Sequence, residues 1–342
     1  MRIMKKAIVF GHGWAWNQYC KEICSKYDVI AIADNNPREG DIRPEEIPTR
    51  PYDIIVLCLR DFLPVVRQLI SIQEDCRDQL DFSVPCDLWG FDDIYMKNDE
   101  IIVTAGGISG FMESANDVST FNTVMVEKEY DMTLPGKTIV IDVGMNIGFA
   151  SLFFSCKENV EKIYAYEPFR NTYQKAIRNF ALNSIEVGGR IVALNYALGK
   201  ENGERIVGTI SLDSKGSNTL LPHEAFQLPR FEQGERLSHN VKIGVLDAGE
   251  EVSRIKAVHP DCNLLLKMDV EGSEYEIIES LTNGSAIRNI DAIVMEFHTI
   301  KGKSIQADIV EVLLNNNYAI YDGSKFGEYR IYGTGYLIAV RR

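Results

Sequence analysis

The stretch TIVIDVGMNIGFASL, Thr138 to Leu152, constrains the fold of this chain more than any other. Its first five residues, Thr138 to Asp142, are an apolar run ending in an acid. A short unbroken run of this kind suits a strand buried on both faces of a parallel sheet. Gly144 and Gly148 follow, and then an apolar segment that can open a helix. Strand, glycine turn and helix in this order begin a βαβ unit, whose ligands sit beyond the carboxyl ends of the strands. A dinucleotide site reads G-x-G-x-x-G, because the middle glycine lets the backbone approach a pyrophosphate. Here that middle position is Asn146.

A ligand without a pyrophosphate does not need the missing glycine. S-adenosylmethionine is such a ligand, built from adenosine, a sulfonium and an amino-acid tail. In that reading Asp142, Gly144, Asn146 and Gly148 surround the tail and ribose, the glycines allowing close backbone approach. The next strand ends KIYAYEP, and Glu167 follows Gly148 by the interval of about 20 residues expected for a ribose-binding acid. A third strand ends VALNYALG, which places Asn195 and Ala197 where the adenine lies.

The alternation of strands and helices extends over the chain and predicts an α/β protein. With 342 residues there is room for two domains. Residues 1–80 read as a small Rossmann-like α/β domain, 81–110 as a breaker-rich linker, and 111–342 as a larger domain. Strands are expected at 138–142, 162–166, 190–194, 264–269 and 292–297. Two more come from the tail, giving a seven-stranded Rossmann-like sheet with five parallel strands and a closing hairpin. DVSTFNTVMVEKEY looks helical, with Asp117 or Ser119 as N-cap.

Composition excludes several classes. The net charge is −13, and almost all of it lies beyond residue 80, so the basic excess needed for nucleic acid or an anionic membrane surface is missing. No run approaches the roughly 18 apolar residues of a membrane span. The apolar segment near the start, AIVF, is too short for a signal-peptide core and reads as a strand. Seven scattered cysteines with no C-x-x-C pair fit a reduced, cytoplasmic setting. Self-association into a homo-oligomer stays open.

Taken together, IDVGMNIG, YAYEP, NYALG and LLLKMDVEGSEYEIIES resemble the FkbM-type family of S-adenosylmethionine-dependent methyltransferases. K-M-D-V-E-G-S-E, Lys267 to Glu274, is the most distinctive part, and STFNTVMVEKEY and VMEFH extend the likeness over about 115–340. Met145 departs from the small residue usual in the loop. The resemblance implies an O-methyltransferase acting on a hydroxyl of a glycan, a nucleotide-linked sugar or a related small molecule.

An alcohol is a weak nucleophile at neutral pH, so a general base is expected at the ends of the fourth and fifth strands. Alternation along a strand puts Glu296 and His298 on one face, and Lys267, Asp269 and Glu271 on another while the strand lasts. His298 is the first choice for the base, its ordinary pKa lying nearest cellular pH. Asp269 can orient the hydroxyl, act as base, bind the methionine amino group, or cap the following helix. Glu296 can orient His298. Glu271 and Glu274 suit a helix start. Asp269, Glu296 and His298 could hold a divalent ion, but many methyltransferases of this fold need none, and no metal is expected. The segment 211–240 is expected to be a lid over the acceptor.

VFGHGWAW near the start begins like a dinucleotide loop, with Asp34 at ribose-acid spacing, but Trp16 replaces the third glycine. With its ADNNP turn, the region is similar to small Rossmann-like modules found ahead of sugar-modifying enzymes. A working nucleotide site and a degenerate module serving assembly or substrate presentation both stay open, with His12 a loop residue. Two other functions stay open beside methyl transfer. One is a dinucleotide-dependent oxidoreductase using this first domain, although no Tyr-x-x-x-Lys constellation supports it. The other is a protein that binds S-adenosylmethionine without catalysis.

Overall fold

A computed structural model of the chain describes residues 4–186, 188–209, 239–300, 303–304, 306–322 and 334–342. It forms two compact units, Met1–Lys128 and Glu129–Arg342. Among the described residues, no helix is long and apolar enough to cross a membrane.

The first unit opens with β1 (Lys6–Phe10), α1 (Trp14–Lys26), β2 (Asp28–Ala33), β3 (Ile54–Leu57), α2 (Phe62–Ile72) and β4 (Leu80–Asp81). The four strands are parallel in the order β2-β1-β3-β4. Ala15, Tyr19 and Ile23 recur at helical spacing on α1 and pack against Ala7, Val9 and Val56 of the sheet. Trp16, in place of the third glycine, is half-buried at the edge of the same cluster.

The segment 81–110, expected as a linker, is folded. After α3 (Ser83–Trp89), the strands β5 (Asp93–Lys97), β6 (Glu100–Ala105) and β7 (Ile108–Met112) make an antiparallel meander. The residues that read as breakers are its turns. Asn98 and Asp99 join β5 to β6, and Gly106 and Gly107 join β6 to β7, all four with positive φ. Two-residue turns of this conformation match the twist of the strands they join. The helix α4 (Ala115–Phe121) also belongs to this unit. Its N-cap is Ser114, in a capping box with Asp117, rather than Asp117 or Ser119. The second unit therefore begins at Glu129 and not at 111.

The second unit runs β8 (Thr138–Val143), α5 (Phe149–Ser155), β9 (Val160–Tyr166), α6 (Arg170–Leu182) and β10 (Ile191–Leu194). Next come β11 (Ala197–Gly199), β12 (Gly203–Thr209), β13 (His239–Asp247), α7 (Ala248–Val258), β14 (Asn263–Met268) and α8 (Glu274–Asn283). It closes with β15 (Ala292–Ile300), β16 (Lys303–Ser304), α9 (Gln306–Asn315), β17 (Tyr318–Asp322) and β18 (Thr334–Arg341). The main sheet has the order β10-β9-β8-β14-β15-β18-β17, with β16 paired to the end of β15. The first five are parallel, and the last two close the edge antiparallel. This is the seven-stranded Rossmann-like arrangement expected. β8 sits at its centre with all six residues buried, as its apolar run requires. A separate three-stranded sheet, β11-β13-β12, was not foreseen. Most of 211–240, expected as a lid, lies outside the described residues.

Candidate active site

The order reverses at β8, where the chain goes outward to β9 and returns to β14 on the other side. Beyond the carboxyl ends of these strands lies an open pocket. Gly144, Asn146 and Val143 form its floor, Tyr166, Glu167, Pro168, Phe169 and Thr172 one wall, and Ala197 and Leu198 another. Asp269, Val270 and Glu271 close it from the end of β14.

The loop after β8 is held on several sides. The amides of Gly144 and Met145 donate to the Tyr166 carbonyl at 3.1 and 2.9 Å. The Asn146 amide donates to Glu167 Oε2 at 3.0 Å, and Asn179 on α6 donates to the Ile147 carbonyl at 2.8 Å. Gly144 has φ +78, and a Cβ there would lie 1.8 Å from the Asp269 carbonyl oxygen. Gly148 has φ +92, and a Cβ there would meet the Phe180 ring at 2.6 Å. Both glycines are thus demanded by protein packing, and Gly148 does not line the pocket. Asn146 itself has φ +53, which Asn tolerates better than most residues.

Asp142 is fully buried behind the loop and does not line the pocket. Its Oδ2 accepts from Ser151 at 2.6 Å, and Lys267 Nζ lies 3.1 Å from Oδ1. Lys267 also donates to the Gly144 carbonyl at 2.8 Å. Burial alone would lower the lysine pKa, but the carboxylates of Asp142, Asp269 and Glu296 raise it, so this buried ammonium stays charged. The expected contact of Asp142 with ligand is therefore replaced by a support for the loop. Asn195 also differs from expectation. Its side chain donates to the carbonyls of Glu167 and Pro168 at 2.8 and 2.9 Å and does not line the pocket.

Glu167 lies in the pocket wall where the spacing put it. Its Oε1 accepts from the Phe169 amide at 3.0 Å. Burial pushes its pKa up to about 8, against the pull of these two amides and Lys267. A carboxylate has about four acceptor sites, so two amides leave capacity for a diol.

Four acids and one imidazole gather beside the pocket. His298 on β15 is 3% exposed, and its Nδ1 lies 2.6 Å from Oε1 of the fully buried Glu274. Its Nε2 lies 3.3 Å from Glu271 Oε2 and 3.8 Å from Glu296 Oε1. Tyr130 donates to Asp269 Oδ2 at 3.3 Å. Burial alone would lower the His298 pKa, but Glu274, Glu271 and Glu296 carry it to about 10. A ring held protonated at neutral pH cannot take a proton, so His298 does not fit the general base expected of it. Glu296 is pushed up to about 8 by burial and by the charge of Asp269. Asp269 is no helix cap, since α8 begins at Glu274 with Ser273 before it.

Sequence reasoning missed the apolar walls, Phe169, Leu198 and Val270, the supports Tyr130 and Ser151, and the contact of Glu274 with His298. Phe169 stands two residues after Glu167 and could have been found from that acid. Tyr130 could not, because 139 positions separate it from Asp269.

Residues 142–320, more than half of the chain, match the family model of the methyltransferase FkbM domain. The chain belongs to the FkbM methyltransferase family. It is 30% identical over 199 residues to methyltransferase sdnD of Sordaria araneosa, covering 50% of this chain and 71% of that protein. It is 26% identical over 168 residues to the hexuronic acid methyltransferase AglP of Haloferax volcanii, covering 47% of this chain and 56% of the relative. A crystal structure of an FkbM methyltransferase from Methylobacillus flagellatus KT aligns with 98% of this chain and 90% of its own, at 14% identity and a TM-score of 0.36. As a methyltransferase of this family, the chain uses S-adenosylmethionine as its methyl donor.

The pocket fits that donor. Asn146 Oδ1 is buried with no hydrogen-bond partner among the described residues, in a pocket whose ionisable lining is Glu167, Asp269 and Glu271. Acidic groups in the lining suit a ligand carrying a sulfonium and an ammonium, and the apolar walls suit an adenine.

Proposed function

We propose that this FkbM methyltransferase is an O-methyltransferase whose acceptor is a hydroxyl of a glycan or a related sugar-containing small molecule. The observation that carries this reading is the group formed by Asp269, Glu271, Glu296 and His298 beside the donor pocket. Carboxylates accept hydrogen bonds from hydroxyls and can take their protons. The same negative charge opposes a polyanionic acceptor such as nucleic acid. The Haloferax volcanii relative is named a hexuronic acid methyltransferase, which supports a sugar-class acceptor.

S-adenosylmethionine supplies a methyl group on a sulfonium, with a neutral thioether as leaving group. Glu167 and Asn146 would hold its ribose, and Ala197, Leu198 and Phe169 its adenine. Asp269 orients the acceptor hydroxyl, fixed by the Tyr130 hydroxyl and by the Gly144 backbone against its own. Glu296, on the face of β15 that carries His298, accepts the proton in its ionised form, a minority at pH 7 because its pKa is raised to about 8, so turnover rises with pH through that value. His298 positions the acids around it. The test is incubation with a donor labelled at the methyl carbon and a panel of neutral sugars, uronic acids and nucleotide-linked sugars. Label on a sugar oxygen is expected, and Glu296→Gln should lower turnover by about 10²–10⁴. Label on nitrogen or carbon, or full turnover in the variant, would refute the assignment.

A further inference from the structure

The Asp269, Glu271 and His298 side chains each bring one ligand-type atom to a common point, all within 4.8 Å of one another. We propose that these three residues bind a divalent cation, the two carboxylates favouring a hard ion such as Mn²⁺. The role given to the cation, holding the acceptor oxygen, rests on the reading of the chain as an O-methyltransferase.

The group is more than a cluster of acids. His298 is buried, and its Nδ1 side is occupied by Glu274 at 2.6 Å. A metal-ligating histidine almost always gives its other ring N–H to a carboxylate or carbonyl, which fixes the tautomer and aims the ring. Here that arrangement turns Nε2 toward Glu271 Oε2, 3.3 Å away, and an ion bound there would displace the Nε2 proton of the metal-free ring. Glu274 is in turn fixed by the Gly272 amide, which donates to Oε1 at 3.0 Å. Lys267 on β14 is committed to Asp142 and the Gly144 carbonyl. Glu296 adds a fourth carboxylate 3.8 Å from Nε2. Compact octahedral coordination places neighbouring ligands about 3 Å apart, so the side chains need only small rotations to close around an ion. Two of the three ligands, Asp269 and Glu271, also line the donor pocket, so an acceptor oxygen on the cation would stand beside the methyl donor. Glu296 is left outside the ligand set to take the proton.

The test uses the full chain, stripped with chelator and titrated with MnCl₂ alone by calorimetry, with free Mn²⁺ followed by electron paramagnetic resonance. One Mn²⁺ per chain is expected. Asp269→Asn and His298→Gln should each weaken binding at least tenfold. Glu274→Gln, which touches no ion, should weaken it by about 10–100-fold, and Glu204→Gln, on an exposed acid, should change nothing. Calorimetric unfolding confirms that each variant is folded. Absence of stoichiometric Mn²⁺ in the parent protein would overturn the proposal without any variant. So would unchanged binding in a folded Asp269→Asn/His298→Gln double variant. Because no acceptor is present, the result is independent of the oxygen assignment. A bound ion with a nitrogen-methylated product would remove only that assignment, and an O-methylated product without an ion only this one.

Discussion

The two units use the same device at the same place, and the donor pocket is built on the second. In each, a central parallel strand runs into a glycine loop and then a helix, and the neighbouring strand ends in an acid. In the first unit Asp34 accepts from the His12 amide of the loop and from the Asn36 amide two residues beyond itself, both at 2.8 Å. In the second, Glu167 accepts from the Asn146 amide of the loop and from the Phe169 amide two residues beyond itself, both at 3.0 Å. The acid in both cases ties the loop to the next strand. What differs lies one shell further out. In the first unit a histidine side chain follows the glycine and is pinned to Asp41, with Nδ1 2.9 Å from both carboxylate oxygens. In the second, the residue whose amide binds the acid is an asparagine with a buried and unpartnered Oδ1, in a wall of apolar side chains. The motif specifies a backbone, and its neighbours decide whether that backbone serves a ligand.

The largest expected difference concerns the glycines. Gly144 faces the Asp269 backbone so closely that a Cβ would sit 1.8 Å from its carbonyl oxygen; its counterpart Gly11 would put a Cβ 2.7 Å from the Cys58 carbonyl oxygen, whereas Gly13, at the helix start, has nothing within 4 Å. Gly144→Ala should destabilise the second unit by about 3 kcal/mol or more, because two backbone segments must part. Gly13→Ala, at a helix N-cap with φ −90, should cost at most about 1 kcal/mol. Calorimetric unfolding of both variants measures this, and equal losses would show that the two loops are under the same constraint.

Next in size is the ligand contribution of the two acids. Glu167→Ala should weaken binding of S-adenosylhomocysteine by about 1.5–3 kcal/mol, the range for hydrogen bonds to a charged group. Asp34→Ala should leave it unchanged. If both variants bind normally, Glu167 is only a loop anchor like its counterpart, and the ribose assignment fails.

The pH dependence sharpens the same contrast. The folded pKa of Glu167 is raised from 4.5 to about 8, so between these values the folded chain holds a proton that the unfolded chain has released. Its contribution to stability therefore falls as pH rises through that window. Ligand binding has the opposite sign. Hydroxyl donors favour the carboxylate, so affinity for S-adenosylhomocysteine should rise about tenfold between pH 7 and pH 9 and then level off. Glu167→Gln should remove the rise. A flat profile in the parent protein would place the ribose elsewhere.

These contrasts also show how far the sequence could be read. The seven-stranded sheet was legible because each buried strand writes a continuous apolar run, and Glu167 was legible because a βαβ unit fixes the interval between loop and acid. Asp142 was misplaced for a related reason. An acid at a strand end reads the same whether it faces a ligand or a buried lysine, and Lys267 lies far along the chain. Most of the meander at 93–112 falls in the segment 81–110 that reads as a linker, because Asn98–Asp99 and Gly106–Gly107 are breakers by composition and hairpin turns by conformation. His298 was correctly paired with Glu296 by strand alternation. The carboxylates that hold it protonated come from the loop and helix after β14, which no periodicity ties to β15.

The smallest effect expected is at His12, and it tests whether the first loop is closed by its own side chains. Asp41 is held below its ordinary pKa. Its burial works against this, but the Arg38 amide and His12 outweigh it. The contact therefore contributes stability above the ordinary carboxyl pKa, and that contribution is lost as pH falls through the lower folded value. His12→Ala should cost the first unit about 0.5–1.5 kcal/mol at neutral pH, the worth of one hydrogen bond, and progressively less in acid. Affinity for S-adenosylhomocysteine should not change. Titration of the same variant with NADH and NADPH supplies the decisive arm. If removing the imidazole creates or strengthens dinucleotide binding, His12 is a plug in a site that is otherwise intact. If neither nucleotide binds in the parent or the variant, the loop is a structural copy of the second one, and Asp34 serves only to tie it down.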